Sequence, residues 1–507
     1  MLLINQMTSS KRPNVLFLFT DQQRADSIRE LGNAVMQTPH LDRLCREGTA
    51  FTSAFSPSPE CVPARCSLIT GAYVNQTGCA SNAQAMPPEQ VTPTFMSLLT
   101  GAGYRTHGIG KCHFTPDSTA MRGFQTRETS EEIIPADGQS DYFDYVAEQG
   151  YGHVMEPLGV RGEMYYVPQP AQQPAELCHS HWVADRTINF IEEQAGEDQP
   201  WLCYAGFIHP HPPFNPPNPW HKLYRAPDMP MPHMPIGFES LQCFINRYQN
   251  RYKYRDRGYD LNLLRCMRAY YNACVSFIDY QVGRILASLE ATGELDNTLI
   301  IYSSDHGELL GDFGCFGKRS FHDAAAKVPL ILRLPERFKA GDQCNKPASL
   351  IDIATTICAA ADVDRIDQFD GVDLADLANG ACARDTVFMQ YQRGPDSLIS
   401  AVGEGYKYTW SAPDQREYLF LRSDSPETQD LVGVVGHAAA HAEMRQRLIQ
   451  HVRSGSHASE ILDANDEFIR MLAKVIPANP DAMLFYQDPP QHQVALPDGY
   501  APGVIDW

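Results

Sequence analysis

The sequence predicts an α/β fold: a large mixed, mostly parallel sheet covered by helices on both faces, with a smaller C-terminal α+β subdomain. Three observations carry this expectation. Val15-Leu16-Phe17-Leu18-Phe19 is a short continuous apolar run closing on Thr20-Asp21, the pattern of a strand buried on both faces. Leu299-Ile300-Ile301-Tyr302-Ser303-Ser304 is a second such run and also closes on an aspartate, Asp305. Helical spacing fills much of the chain between them, and after about residue 385 the pattern shortens into hairpin-length segments.

Taken in order, residues 38–48 place Leu41, Leu44 and Cys45 on one helical face, and 181–194 and 262–292 repeat that spacing, the last ending near Gly293. Residues 297–305 and 328–333 read as strands. Residues 208–236 hold ten prolines, which forbid regular helix or central strand and predict an ordered loop or lid rim. Further on, 386–391, 398–402, 406–410 and 417–421 read as hairpin strands, followed by helices over 437–453 and 458–475. The expected division is a body over 12–385 and a C-terminal α+β subdomain with its tail over 386–507. The Pro-rich tail 477–507 could wrap the body or a partner subunit, which is how a homo-oligomer would form. No internal repeat is present.

The chain has 507 residues, enough for one large core plus a smaller one. Its 41 basic and 61 acidic groups give a net charge of −20, which argues against a nucleic-acid or anionic-membrane binder. An anionic substrate stays open, because a bound divalent cation and a few basic side chains reverse the potential locally. The N-terminus lacks a basic n-region and a sustained apolar run, and no segment reaches the ~18 apolar residues of a membrane span, so a cytoplasmic location without a membrane anchor is expected. Fourteen scattered cysteines without C-x-x-C pairs suggest thiols with core roles in a reducing compartment.

Cys61 is the exception. Cys61-Val62-Pro63-Ala64-Arg65, with Thr70-Gly71 following, resembles the maturation motif of type I sulfatases, within the alkaline-phosphatase-like superfamily. Further segments resemble that family in the expected chain order. These are Pro13 to Gln22, Thr38-Pro39-His40-Leu41-Asp42-Arg43-Leu44 with His40 in place of the usual asparagine, Gly110-Lys111-Cys112-His113, His209-Pro210-His211-Pro212-Pro213, Ser303 to Glu308, and Gly317 to His322.

The resemblance implies that Cys61 is oxidised to Cα-formylglycine, whose hydrated aldehyde is the nucleophile, a role a thiol cannot fill. It implies one divalent cation, Ca²⁺ favoured over Mg²⁺, held by Asp21, Gln22, Asp305, His306 and the matured residue 61. Many family members have Asp in place of Gln22, so this site carries one negative charge fewer. Arg65 is expected to hold the diol and the metal-site carboxylates, Lys111 to stabilise the alkoxide, and His113 to accept the proton that releases sulfate. Positions 111 and 113 are read as sharing one face of an extended segment. His211 is assigned to the sulfate and leaving oxygen, with His209 either structural or part of the site. Lys318 is expected to assist the leaving oxygen, with Arg319 the alternative.

The expected function is therefore hydrolysis of a small sulfate monoester (aryl, alkyl or sugar) after maturation by a formylglycine-generating enzyme. A rival is a phosphonate or phosphate monoester hydrolase on the same core, whose members typically carry Tyr and Thr where this chain has Lys111 and His113. A reading from another class is a noncatalytic metal-stabilised binding protein. Residues 115–180 and 208–260 are expected to shape the substrate pocket. There, Tyr248, Arg251, Tyr252, Lys253, Tyr254 and Arg255 could hold an anionic sugar group or form a solvated charged surface.

Overall fold

The computed structural model describes residues 12–133, 140–161, 164–251, 260–423 and 427–476. The expectations placed on the N-terminal segment before residue 12, on Tyr252 to Arg255 and on the tail from 477 lie outside these residues.

The apolar run at the start of the chain forms β1 (Asn14–Asp21), buried at every position. The other strands of its sheet are β2 (Thr49–Phe51), β4 (Arg105–Gly110), β5 (Thr126–Thr129), β6 (Trp201–Pro210), β7 (Thr298–Ser304), β8 (Leu330–Arg333) and β9 (Asp342–Cys344). A short β3 (Ala54–Phe55) pairs apart from it with β10 (Ala348–Ser349). The eight strands run in the order β5-β4-β6-β1-β7-β8-β2-β9, and only the β7–β8 and β8–β2 pairings are antiparallel.

Strand periodicity explains why β1 carries no polar face. Val15, Phe17 and Phe19 point into one core, with Cys66, Leu68, Phe95, Leu99 and Ile353 from the helices Cys61–Thr70, Phe95–Gly101 and Ile351–Ala360. Leu16 and Leu18 point into the opposite core, with Leu41, Leu44, Val183, Ile278 and Val282 from the helices Pro39–Glu47, His179–Gln194 and Leu261–Thr292. Each such side chain contributes about 1.5–3 kcal/mol by leaving water, and Phe17→Ala would cost about 3–5 kcal/mol in this packed layer. His40 packs where a side chain on Gly283 would sit: a Cβ there would lie 2.4 Å from its Nε2, so the two helices need that glycine to cross closely.

The second sheet is antiparallel: β11 (Thr386–Tyr391), β12 (Leu398–Gly403), β13 (Tyr406–Ser411) and β14 (Arg416–Leu421), in sequential order. Val387 and Met389 face Phe55, Phe313 and Phe321 of the main body. Ile399, Ala401, Tyr408 and Trp410 face Leu448 and Val452 of the helix Ala438–Arg453.

Three local expectations need correction. Residues 458–475 do not form a helix; a single 3₁₀ turn, Ala458–Glu460, is followed by a Leu462–Phe468 bridge. The Asp463 carboxylate accepts from the backbone N–H of Asn465 and Glu467, so it stabilises a turn in competition with helix. The proline-rich loop begins only after Pro210, because residues 208–210 end the central strand β6. His113 has φ 55°, so the segment after β4 turns into the left-handed region instead of continuing extended. Among the described residues no helix is long and apolar enough to cross a membrane, and all fourteen cysteines are free thiols.

Candidate active site

The site gathers at the carboxyl ends of β1, β4, β6 and β7, where parallel α/β sheets expose their ligand crevice. Asp21 ends β1, and Asp305 and His306 follow β7. The segment Lys111 to His113 follows β4, and His211 follows β6. Cys61 opens the helix Cys61–Thr70, with Pro63 in its first turn and Gly71 (φ 61°) closing it. A helix N-terminus favours negative charge, and it lies at residue 61.

Asp21, Cys61, Asp305 and His306 are fully buried, and their ligand atoms all lie within 4.8 Å of one another. The Cys61 sulfur is 3.4 Å from His306 Nε2, whose Nδ1 faces the Gly307 carbonyl at 3.0 Å. With the Nδ1 proton on that carbonyl, Nε2 is left as a lone pair toward the cluster. Gln22 has φ 64° and donates its backbone N–H to Asp305 Oδ1 at 3.0 Å. Its side-chain nitrogen is taken by Glu308, and its Oε1 is buried without a protein partner. Two carboxylates, an imidazole and an orphaned amide oxygen form a donor set suited to a hard divalent cation.

Arg65 locks this arrangement from below. Its guanidinium donates to Asp305 Oδ2 at 3.0 Å, Asp21 Oδ2 at 3.2 Å, the Lys111 carbonyl at 3.0 Å and the Tyr204 hydroxyl at 3.1 Å. It also lies over the Phe19 ring. A planar fork with several fixed donors suits this position in a way lysine does not.

Lys111 Nζ lies 2.6 Å from Asp21 Oδ2. Burial pulls this ammonium down, but Asp21 and Glu132 outweigh it and raise it well above its usual range. Burial likewise pushes the Asp21 carboxyl up, while Lys111 and the other cations hold it well below the usual range. Lys318 Nζ reaches the Cys61 sulfur at 2.8 Å. Arg319 turns away at φ 80° and pairs with Glu60 at 2.5 Å, so the lysine of this segment is the one that faces residue 61.

His113 is anchored through its backbone N–H, which donates to Glu131 Oε1 at 2.7 Å, and its Nδ1 is buried without a protein partner. Burial, aided by Lys111, lowers its imidazole below the usual range and keeps it neutral. His211 directs Nε2 at Glu132 Oε2, 3.0 Å away, and Nδ1 at the Pro212 carbonyl. His209 has both ring nitrogens occupied, by Ser180 at 2.9 Å and Asn215 at 3.1 Å.

The geometry thus brings Asp21, Gln22, Cys61, Arg65, Lys111, Asp305, His306 and Lys318 into one connected cluster, with His211 joined to it through Glu132. Sequence reasoning missed Glu131, Glu132 and Glu308. Glu308 is fully buried and accepts from Gln22, Tyr166 and the backbone of Leu310 and Gly317. Its place beside Asp305 and His306 was a usable signal. The Glu131-Glu132 pair, in a charged stretch, offered none.

Comparison with known proteins agrees with this picture. The sequence model of the sulfatase family matches residues 13–363, and that of the N-sulphoglucosamine sulphohydrolase C-terminal region matches 311–454. The chain is 27% identical over 453 residues to an arylsulfatase of Clostridium perfringens, covering 83% of this chain and 90% of that one. It is 29% identical over 494 residues to the multifunctional alkaline phosphatase superfamily protein PehA of Trinickia caryophylli, covering 86% and 95%. Its fold is that of the phosphonate monoester hydrolase SpPMH from Silicibacter pomeroyi, with a TM-score of 0.76 at 23% identity over 92% of this chain and 100% of that one.

Proposed function

The chain belongs to the sulfatase family, and from that premise we propose that it hydrolyses a small sulfate monoester at residue 61. The observation that carries this reading is the position of Cys61. Its sulfur lies 2.8 Å from Lys318 Nζ and within 4.8 Å of the buried ligand atoms of Asp21, Asp305 and His306.

The family implies a divalent cation and a formylglycine at residue 61; bound and matured, they supply a charge-neutralising Lewis acid and a hydrated-aldehyde nucleophile. The chain's own residues do the rest. Arg65 fixes Asp21 and Asp305, and Lys111 together with Lys318 neutralises charge as it develops on the sulfuryl oxygens. Lys318, with His211, serves the leaving oxygen, where a proton must arrive. His113 takes a proton from residue 61 at its vacant Nδ1 as sulfate leaves, and addition of water to residue 61 then restores the resting state. Ca²⁺ is favoured over Mg²⁺ because mixed carboxylate, amide and imidazole donors suit a larger ion of flexible geometry.

The reading includes maturation by a formylglycine-generating enzyme, a cytoplasmic setting, and a division into a body over 12–385 and a subdomain over 386–507. Phosphonate or phosphate monoester hydrolysis is the second reading, on a fold shared with the phosphonate monoester hydrolase SpPMH. Lys111 and His113, where that branch typically has Tyr and Thr, weigh toward sulfate.

The test is a panel of aryl, alkyl and sugar sulfates offered to matured, metal-loaded protein. Release of sulfate from at least one class is expected. Cleavage of an aryl phosphonate with no sulfate released from any ester would overturn the reading.

A further inference from the structure

Two of the groups assigned to the sulfuryl moiety already hold an anion belonging to the chain. Glu132 Oε2 lies 2.8 Å from Lys111 Nζ and 3.0 Å from His211 Nε2, so one carboxylate oxygen bridges both. Its side chain is 11% exposed, nearly sealed from water. Its field also reaches Lys318 and His113. Burial pushes the Glu132 carboxyl up, but His211, Lys111 and Arg161 hold it well below the usual range, so it is ionised at neutral pH.

We propose that Glu132 is the charge-selectivity residue of this site: its carboxylate occupies the place of an anion oxygen between Lys111 and His211, and must yield that place to the substrate. This rests on the assignment of Lys111 and His211 to the sulfuryl group.

The consequence follows from charge alone. A sulfate monoester carries one negative charge, whereas inorganic sulfate carries two, as does much of a phosphate monoester at neutral pH. A carboxylate displaced by one hydrogen-bond length stays within a few ångströms, in surroundings where like charges repel far more strongly than in water. The dianion meets about twice the repulsion of the monoanion. Glu132 therefore weakens every anion but weakens the product more than the substrate. It speeds release of sulfate and disfavours dianionic phosphate esters, without taking part in bond cleavage. Lys111 and Lys318 alone would hold the product tightly.

Glu132→Gln removes the charge and keeps the shape. Matured, metal-loaded wild type and variant are compared for the Kd of inorganic sulfate by calorimetry, and for KM and kcat on an aryl sulfate. Sulfate should bind about tenfold tighter or more to the variant, and KM should fall by about threefold, the smaller response of a single charge. Glu132→Asp, which withdraws the carboxylate by one methylene, is measured alongside and should tighten sulfate by less. It carries the same test should Glu132→Gln not fold. Unchanged or weaker sulfate binding in folded variants, while wild type still cleaves the ester, overturns the inference and leaves the sulfatase assignment standing. If neither form binds sulfate or cleaves sulfate esters, the assignment of Lys111 and His211 falls and the inference with it.

Discussion

Lys318 Nζ lies 2.8 Å from Cys61 Sγ although 257 residues separate them in the chain. The contact joins the loop after β7 to the start of the helix that carries the maturation motif. It places a positive charge against the residue proposed to be matured. Burial pulls the Lys318 ammonium down, yet Cys61, Asp21 and Glu132 raise it above its usual range, so it stays charged through neutral pH.

That relationship makes maturation the first prediction. Coexpression with a formylglycine-generating enzyme should yield a peptide about 18 Da lighter than its cysteine form at residue 61. Cys61→Ala should fold and lose turnover. An unmodified Cys61 peptide from cells with active maturation enzyme would count against the mechanism, as would an alanine variant at wild-type rate. Lys318→Ala, in matured protein, should lower kcat by roughly 10²-fold or more, through loss of charge stabilisation next to residue 61.

Metal dependence is the second. Chelation should abolish activity, and adding back Ca²⁺ or Mg²⁺ should restore it, with both ions accepted because neutral Gln22 distinguishes them less than a carboxylate would. Asp305→Ala should weaken metal binding, read directly as metal content by mass spectrometry. It also strips Arg65 of a buried partner, which should cost roughly 3–5 kcal/mol of stability. Full activity after chelation, in protein shown to be metal-free, would remove the ligand assignment.

The third prediction is acid sensitivity centred on His209. Burial depresses this imidazole to about 4 from the usual 6.5, against a smaller opposing effect of Asn215. Above pH 6.5 both folded and unfolded forms are neutral and the group contributes nothing. As pH falls below 6.5, the unfolded chain takes up a proton that the folded one refuses, so stability drops by about 1.4 kcal/mol per unit until about pH 4. His113 is shifted the same way and steepens the wild-type slope. His209→Gln should lose about 1–3 kcal/mol at neutral pH, from the contacts with Ser180 and Asn215. It should also show a shallower decline between pH 6.5 and 4. Parallel Tm-against-pH curves for the two proteins would refute the assignment.

The parts legible in sequence were those where local pattern and tertiary demand agree. β1 and β7 are buried on both faces, so their continuous apolar runs gave them away. β6 was hidden by Gly206 within its run, and the structure gives the reason for that glycine. A Cβ there would lie 2.2 Å from the Lys111 carbonyl, so the strand gives up side-chain packing to let the lysine's backbone pass. Most site residues were legible because they stand in motifs at strand ends. Glu132 was not: in Arg127-Glu128-Thr129-Ser130-Glu131-Glu132 a buried carboxylate looks like any solvated one. Only its register against Lys111 and His211 sets it apart, and that register exists only in three dimensions.

The last prediction separates sulfatase from phosphonate hydrolase and rests on His113. Its Nδ1 is buried with no protein partner, and burial with Lys111 lowers the imidazole below 6.5. A base kept neutral in this way stays competent below the pH at which an exposed histidine would be protonated. The acid limb of kcat should therefore lie below pH 6.5, with a plateau above it, and should disappear in His113→Ala. Loss of the base should slow turnover by about 10²–10⁴-fold. The first sulfuryl transfer needs no help from His113, so the variant should stall afterwards, and its intact mass should rise by one sulfuryl group. Sulfate released by wild type over many turnovers in labelled water should carry one oxygen from that water, delivered through hydration of the residue 61 aldehyde. The released alcohol should carry none, because the S–O bond of the ester is the one that breaks. Wild type should also prefer an aryl sulfate to the matching aryl phosphonate monoester in kcat/KM. A strong preference for the phosphonate, with His113→Ala as active as wild type, would move this chain to the rival branch: the two cations beside residue 61 would then be serving a different tetrahedral anion.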